Sequence, residues 1–179
     1  MIKVKIEKNK NLRELEKNII NKNRIKEFGR GAIMDFKRDY EPDTEWFFVG
    51  DEGKVVALGG LRPITIDYLG KKYKIMGICS IISIIKGKGH GKILIKSMIG
   101  YLRKKGKTGL GFTVETKFFG KAGLKTKKGF IKRFRYKNPK TGKIEIDNEG
   151  DGIYYDGKDN FIKKVLSSKS LVYIDIPFW

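Results

Sequence analysis

Apolar and charged positions alternate through Met1–Ile6, which predicts a first strand. Asn11 has the chemistry of a helix cap, with Glu14 as capping-box partner, and Leu12, Leu15 and Ile19 mark a helical face in the segment that follows. Gly29–Gly31 ends that segment, and a second helical stretch is expected around Ala32–Tyr40. Trp46–Val49 and Val55–Pro63 read as strands joined by the turn Gly50-Asp51-Glu52-Gly53, with Ile64–Leu69 continuing the second. After the turn Gly70-Lys71-Lys72 comes a long strand, Tyr73–Ile85. Its Ile75–Ile85 core is almost wholly apolar, as expected of a strand buried on both faces.

The pattern then changes period. From about Gly91 to Lys104, Leu94, Ile95, Met98, Ile99, Tyr101 and Leu102 form a helical stripe, and Gly106 stands where a C-terminal cap belongs. A short strand at Thr108–Thr113 and a short helix at Val114–Ala122, capped by Gly123, come next. Lys128–Tyr136 and Lys143–Ile146 predict a hairpin around Asn138-Pro139-Lys140-Thr141-Gly142. Asp159–Ser167 reads as a last helix and Leu171–Ile176 as a last strand. Internal repeats, low-complexity segments and domain linkers are not evident.

Composition narrows the setting. A chain of 179 residues suits one domain and can bury a core without disulfide staples. The one cysteine, Cys79, excludes an intramolecular disulfide and points to a reducing, cytoplasmic compartment. No apolar run approaches the roughly 20 residues that span a bilayer, and the charged N-terminus shows no secretory core. A membrane partner is therefore not expected. Lys and Arg number 40 against 20 acidic residues, a formal net charge of +20. Such a surface attracts anions, whether nucleic acid or a polyphosphate cofactor; the plainer reading is a solvated lysine-rich face.

The most informative segment joins the long strand to the amphipathic helix: Lys86-Gly87-Lys88-Gly89-His90-Gly91-Lys92. Glycines permit positive φ and close backbone approach, and the first-turn amides of the helix, with its macrodipole, favour an anion there. Lys86, Lys88 and Lys92 add charge. The spacing is neither that of the P-loop nor G-x-G-x-x-G. An ordinary tight turn is the alternative reading of this segment.

Strand, loop and helix together resemble motif A of the Gcn5-related N-acetyltransferases, whose signature Arg/Gln-x-x-Gly-x-Gly/Ala is matched with Lys86 in the first place. Lys117-Phe118-Phe119-Gly120-Lys121-Ala122-Gly123-Leu124 resembles the motif B of that family, at the expected distance. The two cover about Val55–Phe134. The C-terminal half also resembles, more weakly, the aminoglycoside 2′-N-acetyltransferases, including an acidic segment before a last strand that ends on Trp179; the glutamate of that subfamily falls on Gly77.

The resemblance implies an α/β (α+β) fold: one mixed, mostly antiparallel central sheet with helices on both faces, and residues 1–179 as a single N-acetyltransferase domain. It implies acetyl-coenzyme A as cofactor. The amides of Lys86, Gly87, Lys88, Gly89, His90, Gly91 and Lys92 would hold the pyrophosphate. The backbone at Cys79, Ile81 and Ser83 would pair with the pantetheine arm. Phe119 occupies the motif B tyrosine position, so the family's usual proton donor to the departing thiolate is missing.

The chemistry would be direct attack of a primary amine on the thioester, after the amine loses a proton. Candidate bases are Asp43, Glu45, Glu115 and the Trp179 carboxylate. Acidic residues gather at Asp35, Asp39, Glu41, Asp43 and Glu45, and again at Glu145, Asp147, Glu149 and Asp151. An acidic acceptor pocket would draw a small-molecule amine, polyamine or aminosugar-like; solvated loops are the alternative. A protein lysine or N-terminus is the second acceptor class. A coenzyme A-binding or nucleic-acid-binding module without catalysis is the third reading.

His90 lies between two loop glycines and offers its backbone; with one His and one Cys, no metal site is expected. In Phe130–Lys137 the residues Ile131, Arg133, Arg135 and Lys137 would share one strand face, and Phe130, Phe134 and Tyr136 the other, core-like face. That arrangement disfavours RNA binding, which would need the aromatics beside the arginines. The chain is expected to act as a monomer or homodimer.

Overall fold

The computed structural model describes residues 1–177. The expectation placed on the Trp179 carboxylate lies outside them.

The chain forms two compact units, Met1–Pro63 with Ile78–Met98, and Ile64–Gly77 with Ile99–Trp179. Strands β3 (Lys54–Tyr68) and β4 (Lys71–Ser83) and helix α2 (His90–Lys105) run through both. The sheet is mixed and mostly antiparallel, as the resemblance implied.

In the first unit the strand order is β1 (Lys3–Lys8), β2 (Glu45–Asp51), β3, β4. β2 pairs antiparallel with β1 and β3, placing Trp46 opposite Glu7 and Gly60. Trp46, Phe47, Val49, Leu58 and Leu61 are wholly buried, as their β-prone run requires. Helix α1 (Glu14–Phe28) buries Ile20. Its start is not capped by Asn11, which belongs to a short 3₁₀ turn. Instead the Glu16 carboxylate accepts from the Arg13 amide at 2.9 Å and from the Arg13 guanidinium at 2.9 Å.

The helix expected at Ala32–Tyr40 does not form, apart from a 3₁₀ turn at Arg30–Ala32. The Asp35 carboxylate accepts the amides of Lys37 and Arg38, and that of Asp39 accepts the Asp35 amide. These local bonds satisfy the backbone in turns and compete with the helix.

In the second unit the order is β3, β4, β5 (Gly109–Thr113), β9 (Asp151–Tyr155), β6 (Lys125–Lys127). β4 and β5 are parallel, with Met76 opposite Gly109 and Gly77 opposite Leu110. β9 is antiparallel to both β5 and β6. A three-stranded sheet follows the order β10 (Val172–Ile174), β7 (Phe134–Lys137), β8 (Ile144–Glu145). α3 (Thr116–Ala122) ends on Gly123 in the left-handed region, and α4 is Phe161–Ser167. The core of this unit gathers Ile66, Tyr73, Ile75, Phe130, Phe134, Phe161, Val165 and Val172.

Two expectations change here. The strand predicted over Lys128–Tyr136 starts only at Phe134, because Gly129 at φ 62° opens a 3₁₀ turn over Phe130–Arg133. Phe130, Phe134 and Tyr136 are buried as expected, but the turn buries Ile131 as well. β6 and β9 were not anticipated, although Ile153-Tyr154-Tyr155 is a β-prone run behind Gly152.

Candidate active site

β4 delivers its residues to the loop through a break in regularity. Ser80 takes a left-handed conformation, φ 53°, in the middle of the strand. A non-glycine residue there is uncommon, and one left-handed residue turns peptide groups out of a ladder. Around it Cys79 and Ile82 are buried while Ser80, Ile81 and Ser83 are half-buried. Two glycines on β3 make room for this stretch. A Cβ at Gly59 would lie 2.6 Å from Ile81 Cδ1, and one at Gly60 would lie 2.9 Å from Cys79 Sγ. Burial pushes the Cys79 thiol up to about 11, so it stays protonated at neutral pH.

Beyond Ser83, whose hydroxyl donates to the Ile85 carbonyl at 3.0 Å, the amides of Ile84 and Ile85 both reach the Val56 carbonyl, at 2.9 and 3.2 Å. The chain then turns through Gly87 and Gly89, at φ 78° and 77°. Nothing lies within 4 Å of where a Cβ would stand at either glycine. The Gly89 carbonyl accepts the amides of Lys92 and Ile93, at 3.0 and 3.2 Å, and so starts α2. Ahead of these, the amides of His90 and Gly91 have no helical carbonyl to meet and are the free donors of the first turn. Lys88 and Lys92 are exposed; Lys86 pairs with Glu27 at 3.1 Å. His90 is buried, and its Nδ1 has no hydrogen-bond partner among the described residues.

These features fit a pyrophosphate. The loop is open where its glycines need to be bare, the helix amides and dipole favour negative charge, and a buried ring nitrogen lacks a partner at the same corner.

A second cluster of the first unit was not read from the sequence. Arg24 of α1 donates through Nη1 to Ser80 Oγ and, at 3.3 Å, to the Tyr40 hydroxyl; its Nε reaches the Ala32 carbonyl at 2.9 Å. The Tyr40 and Ser80 hydroxyls are 3.2 Å apart. Arg62 lies over the Tyr40 ring at 5.5 Å and makes a two-pronged pair with Glu41, at 2.7 and 3.0 Å. The Tyr40 ring is wedged edge-on against Trp46 at 5.0 Å, and burial raises its phenol well above its ordinary range. The signal for this cluster is distributed: Arg24, Tyr40, Arg62 and Ser80 belong to four separate segments.

The remaining expected site residues scatter. Asp35 and Asp39 are taken up by local amides and Arg38. Asp43 pairs with Lys8 at 3.0 Å and Lys10 at 3.2 Å, whose ammonium groups hold its carboxyl below the ordinary value. Glu45 opens β2, half-buried, and has a partner of its own. In the second unit Glu115 is exposed before α3, and Phe119 is buried, edge-on to Phe118 at 5.3 Å. Glu145 and Glu149 are exposed, Asp147 accepts the Glu149 amide, and Asp151 accepts the Gly129 amide. Arg133 donates to the carbonyls of Ser168 and Ser170, and Arg135 to those of Lys132 and Phe134. Both are therefore engaged in holding backbone. Among the described residues no cluster of metal-ligating side chains occurs, and no helix is long and apolar enough to cross a membrane.

No protein-family model and no curated protein matches the chain in sequence. Solved structures do match in shape. An acyl-CoA N-acyltransferase from Pseudomonas aeruginosa is 12% identical with a TM-score of 0.58, over 86% of this chain and 99% of that one. YhbS from Escherichia coli, a GNAT family N-acetyltransferase in complex with CoA, is 13% identical with a TM-score of 0.56, over 97% and 89%. A probable N-acyltransferase of unknown function from Enterococcus faecalis is 16% identical with a TM-score of 0.58; the match takes 72% of this chain but spans only a third (33%) of that one. The chain has the fold of the Gcn5-related N-acetyltransferases, which supports at the level of fold the resemblance drawn from motifs A and B.

Proposed function

We propose that the protein is an N-acetyltransferase that transfers acetyl from acetyl-coenzyme A to a primary amine of a small molecule. The observation that carries this reading is the loop Lys86–Lys92: two left-handed glycines open to solvent, at the start of a 16-residue helix, beside a buried imidazole nitrogen without a partner. The coenzyme supplies the activated acetyl thioester. Backbone amides of Lys86, Gly87, Lys88, Gly89, His90 and Gly91 would hold its pyrophosphate; the Lys92 amide, expected among them, is taken by the Gly89 carbonyl, so Lys92 would contribute charge only, beside Lys88. The backbone at Cys79, Ile81 and Ser83 would pair with the pantetheine arm. Backbone amides of β4 near the left-handed Ser80 would polarise the thioester carbonyl as it gains negative charge.

The amine must lose its proton before attack. Glu45, Glu115 and the Trp179 carboxylate are the candidate bases. Asp43 is the weakest, because two lysines favour its charged form and lower its basicity. Phe119 cannot protonate the departing thiolate. Tyr40 is a hydroxyl donor held against β4, and its raised phenol keeps its proton at neutral pH. We take the whole chain, 1–179, as a single N-acetyltransferase domain, working in the cytoplasm with Cys79 reduced.

The test is release of coenzyme A thiol from acetyl-coenzyme A in the presence of small amines, polyamines, aminosugars and a lysine peptide. Thiol release with a small amine and not with the peptide is expected. Release with the peptide alone would transfer the reading to protein acetylation; release with none of them would remove the enzymatic assignment.

A further inference from the structure

The sequence offered two readings of the acidic residues: a pocket for a small-molecule amine, polyamine or aminosugar-like, or solvated loops. The structure gives those acids other tasks. Asp35, Asp39, Glu41 and Asp43 each meet a cation or an amide of the protein. The group left over beside β4 is a cation.

Arg24 is half-buried. Its partners are neutral: the hydroxyls of Ser80 and Tyr40, the Ala32 carbonyl and the face of Phe28 at 5.7 Å. Among the described residues it makes no ion pair, while Glu27 pairs with Lys86 and Glu41 with Arg62. Buried or half-buried charges normally meet a counter-charge, since desolvation is otherwise uncompensated. A guanidinium has five N–H donors. Nε and Nη1 are engaged, and both Nη2 hydrogens remain. The hydroxyls and the carbonyl fix the planar group, so its free Nη2 is pre-organised to donate to an anion.

We infer that Arg24 is the specificity residue of the acceptor site, binding a carboxylate carried by the amine substrate, an amino acid or a close relative. This rests on the N-acetyltransferase reading above. One unpaired positive charge matches one carboxylate. A phosphomonoester carries about −1.5 to −2 at neutral pH and would leave charge uncompensated close to the Tyr40–Glu41 segment. A carboxylate on Arg24 lies against Ser80, the left-handed residue of the strand assigned to the thioester arm, so an amine on the adjacent carbon comes within reach of that strand. Polyamines carry no anion, and only positive charge would meet Arg24.

The experiment compares acceptors in matched pairs: α-amino acids, each beside its primary carboxamide and its decarboxylated amine. Acceptor kcat/KM is measured for wild type, Arg24→Met and Arg24→Lys, and acetyl-coenzyme A affinity is measured by calorimetry for each. Wild type is expected to prefer the acid over its amide by about tenfold or more. Arg24→Met should erase that preference through KM, with acetyl-coenzyme A affinity unchanged, and Arg24→Lys should restore part of it. Equal use of acids and amides by wild type overturns the inference, as does a preference that survives in Arg24→Met. Weakened acetyl-coenzyme A binding in Arg24→Met would place the residue at the cofactor and also overturn it. A wild type that binds acetyl-coenzyme A but acetylates no carboxylate-bearing amine sinks this inference alone; one that binds no acetyl-coenzyme A sinks the enzymatic reading with it. If Arg24→Met does not fold, the acid-to-amide ratio of wild type and Arg24→Lys decides.

Discussion

The loop Lys86–Lys92 and the cluster Arg24–Tyr40–Arg62–Ser80 both belong to the first unit, yet they are built in opposite ways. The loop is contiguous. Its chemistry depends on backbone amides, on glycines that accept φ near 78°, and on the helix that starts at Gly89. The cluster is assembled from four segments, with Arg24 and Ser80 56 positions apart, and its chemistry depends on side chains held by long-range packing. A contiguous site tolerates change elsewhere and fails when its own residues change. A dispersed one is exposed to any disturbance of the core beneath it.

The largest effect should come from within the loop. Gly87→Val and Gly89→Val each force a branched side chain into the left-handed region, into space that is otherwise empty. Acetyl-coenzyme A affinity should fall about 100-fold in calorimetric titration, while backbone strain costs about 1–3 kcal/mol in unfolding and leaves the protein folded at the temperature of the titration. If these variants lose stability instead of affinity, the loop is a structural turn.

Gly60→Ala asks the complementary question of the cluster. Its Cβ would come within 2.9 Å of Cys79 Sγ and 3.5 Å of the Trp46 ring, against which Tyr40 packs. A stability loss of about 2 kcal/mol is expected in denaturant unfolding. Acceptor KM should rise more, and acetyl-coenzyme A affinity fall less, than in Gly87→Val and Gly89→Val. The same pattern of damage as in the loop variants would erase the distinction between the two regions.

The smallest effect is a control in the first turn of α1, about two turns before Arg24. Burial pushes the Glu16 carboxyl up, but hydrogen bonds from Arg13 and Lys5 outweigh it and hold the group at about 2, against an ordinary 4.5. A depressed carboxylate contributes stability above its unfolded value, and that contribution is lost as pH falls. Glu16→Gln should therefore cost about 1 kcal/mol near neutral pH, a difference that shrinks as pH falls from 4.5 towards 2. Site affinities should not move.

The same contrast explains what could be read in advance. Motif A was legible because the strand, glycines and helix are consecutive, and because Leu94, Ile95 and Met98 mark the helix face by period alone. The burial of Phe130, Phe134 and Tyr136 was legible from alternation, although Gly129 turned the first of them into a 3₁₀ turn. The acids around Asp39 stayed open between a pocket and solvated loops because their partners, Lys8, Lys10 and Arg62, come from other segments. Ser80 gave no signal: within the apolar run Ile75–Ile85 it passes for an ordinary strand residue, and its φ is set by tertiary packing. Arg24 was one cation among 40 until the fold removed its neighbours' charges.

The most direct measurement is calorimetric titration of the wild-type protein with acetyl-coenzyme A beside S-acetylpantetheine, which has the same thioester arm without the pyrophosphate. Measurable binding of the first and none of the second at equal concentrations is the result predicted by a phosphate-holding loop. Equal binding of both would show that the loop holds nothing, and binding of neither would contradict the assignment of this fold to acetyl-coenzyme A chemistry.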